Sequence, residues 1–121
     1  QGLKPTDVTF NSTICWQMAV TGDPENALRY CNVAAARDSS GPALDSRGFV
    51  HALLGEYDKA IADFERFLEW TESSPKESCA DYYRPSRSDW IEKLSAGKDP
   101  FDTQTITEMR VRPVSFGDAP C

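Results

Sequence analysis

Few residues of this chain have side chains suited to chemistry: four cysteines, at positions 15, 31, 79 and 121, and one histidine, His51. No Cys-x-x-Cys or Cys/His pair has the spacing of zinc ligands, so we expect no metal site. An even number of cysteines in a small chain favours disulfides in an oxidising compartment; four buried free thiols are the other interpretation. The sequence has no Gly-x-Ser-x-Gly nucleophile motif and no glycine loop for phosphate or calcium. We therefore predict no catalytic residues and no cofactor.

Charge and hydropathy restrict the partners. The 121 residues carry a formal net charge of -6, which argues against a surface for nucleic acid or anionic membrane. No run approaches the roughly 18 apolar residues that a membrane span needs, so we expect no membrane insertion by this segment. No signal peptide is present, and residue 1 is Gln rather than Met. We therefore expect the chain to be a piece of a longer product.

The elements that position these residues are predicted to be helices. Apolar residues recur with a helical period, and turn residues interrupt them near positions 22, 41 and 55. Asp23 and Asp58 are the expected caps of the helices that follow two of these turns, with Pro24 opening the first of them. Antiparallel helical hairpins are therefore predicted, with helices near residues 11–21, 24–38, 42–54 and 58–71.

The C-terminal third begins with a predicted polar loop over 72–83. Ser86 and Asp89 form a capping box, which predicts a helix within 84–98 that ends at Gly97. This helix is basic, whereas the segment 56–72 is acidic, and we expect the two to lie near one another with their charges at the surface. A shorter helix is predicted over about 102–110, followed by turn residues without a helical period.

The chain also repeats itself at an offset of 33 residues, since Gly22 falls on Gly55, Ala27 on Ala60, Cys15 on Gly48 and Cys31 on Phe64. The second copy resembles a tetratricopeptide repeat, a helical pair of about 34 residues. Its small, turn and aromatic positions hold Gly48, Gly55, Tyr57, Ala60 and Phe64. It departs from the family pattern at three apolar positions, which here are Leu44, Arg47 and His51.

The resemblance covers about residues 8–72 and implies an all-α fold. We expect one domain with two tetratricopeptide-type hairpins, 8–39 and 41–72, stacked in a right-handed solenoid. Residues 84–98 would form a capping helix whose Trp90, Ile91 and Leu94 cover the open end, and 99–121 an irregular tail. Because such repeats need neighbours for stability, two repeats need this cap and disulfides.

The resemblance also implies the disulfide pairing. Cys15 and Cys31 occupy the positions of closest approach in the first hairpin, which implies one bridge between them and another between Cys79 and Cys121. His51 stands where the family has a packing aromatic, so we expect a structural histidine rather than a catalytic one. Disulfides place the protein outside the cytoplasm, as in bacterial envelope proteins with such repeats.

In this family the first helix of each pair lines a concave groove. The resemblance therefore predicts a groove with two large anchors, Trp16 and Phe49, exposed beside Asp45, which would favour a partner's Lys or Arg. The alternative is that the cap helix or residues 1–10 fill the groove and that these residues are core. The predicted groove residues are Ser12, Trp16, Ala19, Asp45, Phe49 and Ala52.

These observations predict a non-catalytic interaction module that binds a protein or peptide segment. The carboxylate clamp found in the groove of co-chaperone members is not expected, because Ser12, Trp16, Asp45 and Phe49 stand at the corresponding positions. The alternative function is a structural terminal cap of a longer helical array.

Overall fold

The computed structural model describes residues 8–37, 41–74, 77–102 and 104–107. Their regular secondary structure is entirely helical, which confirms the all-α class. The helices are α1 (Val8–Val20), α2 (Pro24–Arg37), α3 (Gly41–Leu53), α4 (Tyr57–Glu72) and α5 (Glu77–Ser95). A further helical turn occupies 104–107. The first four helices start and end within three residues of the predicted bounds.

Two turns of the same geometry join α1 to α2 and α3 to α4. Gly22 and Gly55 have φ angles of 96° and 78°, a left-handed conformation that is strained for residues with a Cβ. The N–H of Asp23 donates to the carbonyl of Met18 at 2.8 Å, and the N–H of Glu56 donates to that of His51 at 2.8 Å. This is the 6→1 bond of a Schellman motif. The two turns at the 33-residue offset therefore share one backbone motif, which also ends α5 at Gly97.

The two hairpins achieve their closest approach by different means. Cys15 and Cys31 form the predicted disulfide, with Cα atoms 5.0 Å apart, and both are fully buried. Closing a loop of this length stabilises the fold by about 3 kcal/mol. At the equivalent positions of the second hairpin, a Cβ on Gly48 would lie 2.9 Å from the Phe64 ring. A covalent bond in one hairpin thus corresponds to an aromatic ring against a glycine in the other.

The hairpins share one core. α3 packs against both α1 and α2, and α5 packs along α4. The aromatic centre of the core comprises Trp16, Phe49 and Phe64, against which Trp90 and Ile91 of α5 are half-buried. Helix α5 therefore packs along α4, which confirms the expected contact between the acidic and basic helices.

Two expectations about helix starts are wrong. The predicted loop 72–83 is largely helical, because α5 begins at Glu77 and continues through Pro85. Buried Cys79, Ala80 and Tyr83 continue its apolar face toward the N-terminus, and this packing outweighs both the polar composition of 72–83 and the disruption that Pro85 causes inside the helix. Ser86 and Asp89 therefore lie inside the helix rather than at its start. Asp58 lies inside α4, whose capping residue is Glu56.

Several predictions fall outside the described residues. They concern Cys121, residues 1–7 of the N-terminal segment, the predicted helix beyond 107 and the tail over 108–121. Cys79 is fully buried and is not a free thiol. Its pairing with Cys121 stays a prediction.

Candidate functional site

The predicted groove is closed. The expected exposure of Trp16 and Phe49 is wrong, because five of the six groove residues are buried. The side chain of Ser12 lies outside the described part. The exposed fractions are Trp16 5%, Ala19 2%, Asp45 1%, Phe49 0% and Ala52 2%.

Aromatic residues from the C-terminal part fill the groove. Phe101, which follows α5, packs edge-on against Phe49 with ring centroids 4.8 Å apart. Trp90 packs against Phe101 at 4.8 Å, and Trp16 lies 5.0 Å from Phe49 on the other side. Pairs at these separations stabilise by about 0.5–1.5 kcal/mol beyond the area they bury. These rings are therefore core, as in the alternative, but the ring that covers Phe49 is Phe101 of the predicted tail rather than a residue of the cap helix or of residues 1–10.

Asp45 already has the cation that was expected from a partner. Arg87 of α5 donates from Nε to Asp45 Oδ1 at 3.0 Å and from Nη2 to the other carboxylate oxygen. Arg87 is only 7% exposed, so the expectation of a surface charge is wrong. Its guanidinium lies over the rings of Trp90 and Tyr83, 4.3 and 4.8 Å from their centroids. Burial alone would lower the pKa of Arg87, but Asp45 more than offsets this and the pKa is raised.

An open polar cleft lies elsewhere, between α2, α3 and α4, with a volume of about 420 Å³. Each helix contributes residues one turn apart, which share a helix face. We call this the outer cleft, and it is lined by Leu28 and Asn32 of α2, Arg47 and His51 of α3, and Lys59, Ala62, Asp63 and Arg66 of α4.

A forked ion pair forms the inner wall of the outer cleft. Arg47 donates from Nε and Nη2 to the two oxygens of Asp63, both at 2.8 Å. Its Nη1 also donates to Asn32 Oδ1 at 3.4 Å. The hydrogen bond with Asp63 raises the pKa of Arg47. Since Oδ1 of Asn32 accepts from Arg47, the amide hydrogens of Asn32 remain to donate into the cleft.

His51 lies beside this pair and connects it to Glu56 and Lys59, which form the rim of the outer cleft. Its Nδ1 is 3.1 Å from Glu56 Oε1, and its Nε2 is 3.8 Å from Asp63 Oδ2. Lys59 donates to the other oxygen of Glu56 at 3.1 Å. Hydrogen bonds from His51 and Lys59 lower the pKa of Glu56 below its usual range. His51 is 7% exposed and has a carboxylate near each ring nitrogen; its structural role stays a prediction.

The outer cleft is positive although the protein is acidic. Its lining carries three cations, Arg47, Lys59 and Arg66, and one carboxylate, Asp63; Glu56 beside Lys59 adds a second carboxylate, so the local net charge is +1. Within the described residues, Arg66 makes no ion pair. Lys59 and Arg66 are exposed. Arg66 can therefore reach a ligand without breaking an ion pair, whereas Lys59 is shared with Glu56 at 3.1 Å and Asp63 neutralises Arg47.

The outer cleft was not predicted from the sequence, although one signal pointed to it. Arg47 and His51 are two of the positions at which the second copy departs from the apolar tetratricopeptide pattern. A polar residue at an expected packing position needs a partner; Asp63 supplies it for Arg47 and Glu56 supplies it for His51.

A second cleft, of about 410 Å³, adjoins the turn of the first hairpin. Among the described residues it is lined mainly by small and apolar side chains and by none that is ionisable, so this part of it offers less chemical selectivity than the outer cleft. Its lining is Ala19, Val20, Gly22, Pro24, Leu53, Ile106 and Thr107.

Helices capable of crossing a membrane are not found in the part of the chain that the structure describes. Within the same residues, no group of three or more His, Cys, Asp or Glu side chains could hold a metal ion. Comparisons with protein-family models, curated proteins and solved structures find no match to this chain.

Proposed function

We propose that this chain is a non-catalytic protein-interaction module of the tetratricopeptide type, which binds a protein or peptide segment through its helical surface. The observation that carries the proposal is the pair of equivalent hairpins. Their turns have the same bonds at a 33-residue offset, and their close approaches occupy equivalent positions. Hairpins of this kind stack into a right-handed solenoid and present extended binding surfaces.

The protein would act outside the cytoplasm. The Cys15–Cys31 disulfide is fully buried and crosslinks α1 to α2, which suits a small domain in an oxidising compartment of a bacterial cell. A covalent link also offsets the small number of repeats, because a two-repeat stack has less core than a longer array.

A non-catalytic role fits the surroundings of His51. Its two ring nitrogens face the carboxylates of Glu56, at the N-cap of α4, and of Asp63 within α4, at 3.1 and 3.8 Å, so the ring serves to connect α3 to α4. The second candidate function, a structural cap of a longer array, is favoured by one observation. Helix α5 lies along α4, where a third hairpin would otherwise stack.

The test begins with the oxidised domain immobilised and exposed to extracytoplasmic proteins of its host. Phe64→Asp, which places a charge at a fully buried position, serves as the unfolded control. A protein retained only by the folded domain is purified and titrated by calorimetry. Saturable binding with a Kd of about 10 µM or tighter, about -7 kcal/mol, supports the module. Absence of any saturable partner overturns it.

A further inference from the structure

We propose that the outer cleft binds a single carboxylate group of a partner's polypeptide, with Lys59 and Arg66 as the contacting cations. The inference rests on the proposed interaction function and names the surface and the ligand chemistry. The surface is not the predicted groove, because the outer cleft opens between α2, α3 and α4.

The cleft has donors for a carboxylate on two sides. Lys59 and Arg66 belong to α4 and are seven residues apart, which places them two turns apart on one helix face. Asn32 lines the cleft from α2, and its oxygen accepts a 3.4 Å hydrogen bond from Arg47, so its amide hydrogens are not used in that bond. A carboxylate between these residues would accept charge-assisted hydrogen bonds.

The apolar walls of the outer cleft favour a ligand whose carboxylate is attached to a short apolar segment. Leu28 and Ala62 are the apolar residues of the lining, on α2 and α4. Methylene groups of a glutamate side chain, or the last Cα of a chain, would pack against them while the carboxylate reaches the cations. A volume of about 420 Å³ is at the small end for ligand pockets and suits one or two side chains.

Local charge favours a monoanion over a dianion. Asp63 occupies the fork of Arg47 at 2.8 Å, and Glu56 shares Lys59 at 3.1 Å. A phosphate would bring two charges close to both of these carboxylates. The whole protein has a net charge of -6, which repels a strongly acidic chain at long range. The expected partner segment therefore has one carboxylate in an otherwise weakly charged sequence.

The experiment is a ¹H–¹⁵N NMR titration of the oxidised protein with blocked pentapeptides of glycine that carry one central glutamate or glutamine. A glycine peptide with a free C-terminal carboxylate and inorganic phosphate form two further arms. Lys59, Ala62 and Arg66 amides should shift with the glutamate peptide, the free-carboxylate peptide or both. Equal shifts with glutamine, shifts confined to other surfaces, or tighter binding of phosphate than of either carboxylate overturn the proposal.

Matched variants separate the local site from net charge. Lys59→Ala with Arg66→Ala and Arg84→Ala with Lys93→Ala each change the net charge from -6 to -8. The first pair should weaken carboxylate binding about five-fold or more. The second pair lies on α5, about half exposed, and should leave binding unchanged. Equal weakening by both pairs would mean that only the overall field acts.

The two proposals can fail separately. If a purified partner binds the Lys59→Ala/Arg66→Ala variant as tightly as the unaltered protein, the outer cleft is not its site, and the interaction function stands. If the carboxylate peptides bind in the cleft but no saturable protein partner exists, the interaction function fails and the cleft remains a carboxylate site.

Discussion

Two arginine–aspartate pairs in this protein have the same forked geometry and opposite surroundings. Arg87 and Asp45 join α5 to α3 under the rings of Phe67, Tyr83 and Trp90. The side chains of this inner pair are 9% and 2% exposed. Arg47 and Asp63 join α3 to α4, and this outer pair is 21% and 5% exposed in an open cleft.

The difference separates a structural role from a binding role. Enclosed charges contribute to the architecture only as a pair, because a buried charge without its partner is costly. A pair at the wall of a cleft orients its neighbours and leaves hydrogen-bond donors for a ligand. Helix α3 carries one member of each pair, Asp45 toward α5 and Arg47 toward α4. Helix α3 therefore lies between the filled groove, which contains Asp45, and the open outer cleft, which contains Arg47.

The largest effect is expected for Arg87→Ala. This change leaves the carboxylate of Asp45 buried without a cation and removes a guanidinium that packs on three rings, so it should destabilise by about 3–5 kcal/mol. Urea unfolding measures it. The double change Arg87→Met with Asp45→Leu is the control, and it should recover most of the loss because no unpaired charge remains. A double variant as unstable as the single one would refute this explanation.

Arg47→Ala should cost less, about 1–2 kcal/mol, in the same unfolding experiment. Asp63 would lose two hydrogen bonds, but water can enter through the open cleft and His51 remains 3.8 Å away. A loss equal to that of Arg87→Ala would show that the outer pair is as enclosed as the inner one.

Arg84→Ala should change stability by less than about 1 kcal/mol, because its pairs with Glu72 and Asp81 are exposed and long, at 3.6 and 3.7 Å. Arg84 and Arg87 are three residues apart on α5, so the comparison holds the helix constant. A large loss for Arg84→Ala would remove burial as the reason for the difference.

The smallest effect concerns pH at the rim of the outer cleft. The pKa of Glu56 is lowered below 4.5 in the folded chain, first by the hydrogen bond from His51 and then by Lys59. Its contribution to stability is therefore complete above about pH 4.5 and is lost as the pH falls through the lower, folded value. Glu56→Gln should make the decline in stability below pH 4.5 shallower. An unchanged acid profile would show that Glu56 is not held by these hydrogen bonds.

Most of the helices could be predicted from the sequence because their signals are local. Gly22 and Gly55 mark turns by backbone conformation, and the 33-residue offset aligns Cys15 with Gly48 from residue types alone. Helix α5 was predicted to start too late because the capping box of Ser86 and Asp89 is a strong local signal. The burial of Cys79 and Tyr83, which overrides that signal, depends on tertiary packing.

The site depended on distant pairs and could not be predicted in the same way. Asp45 and Arg87 are 42 residues apart, and a charged residue is expected to be exposed until its partner is known. The same holds for Arg47 and Asp63, which are 16 residues apart. The departures from the repeat pattern at Arg47 and His51 were the usable signal, because polar residues at packing positions imply a compensating group.

The central claim is that the predicted groove, which contains the Arg87–Asp45 pair, is closed to solvent, whereas the outer cleft is open. Modification of arginines in the native protein by phenylglyoxal, followed by mass spectrometry at each site, tests both parts together. Arg84 and Arg66 should react fastest and Arg47 more slowly. Arg87 should react at least about a hundred-fold more slowly than Arg84, because its modification requires local opening of the fold. Reaction of Arg87 at the rate of Arg84 would contradict the account, since the groove would then be open to solution.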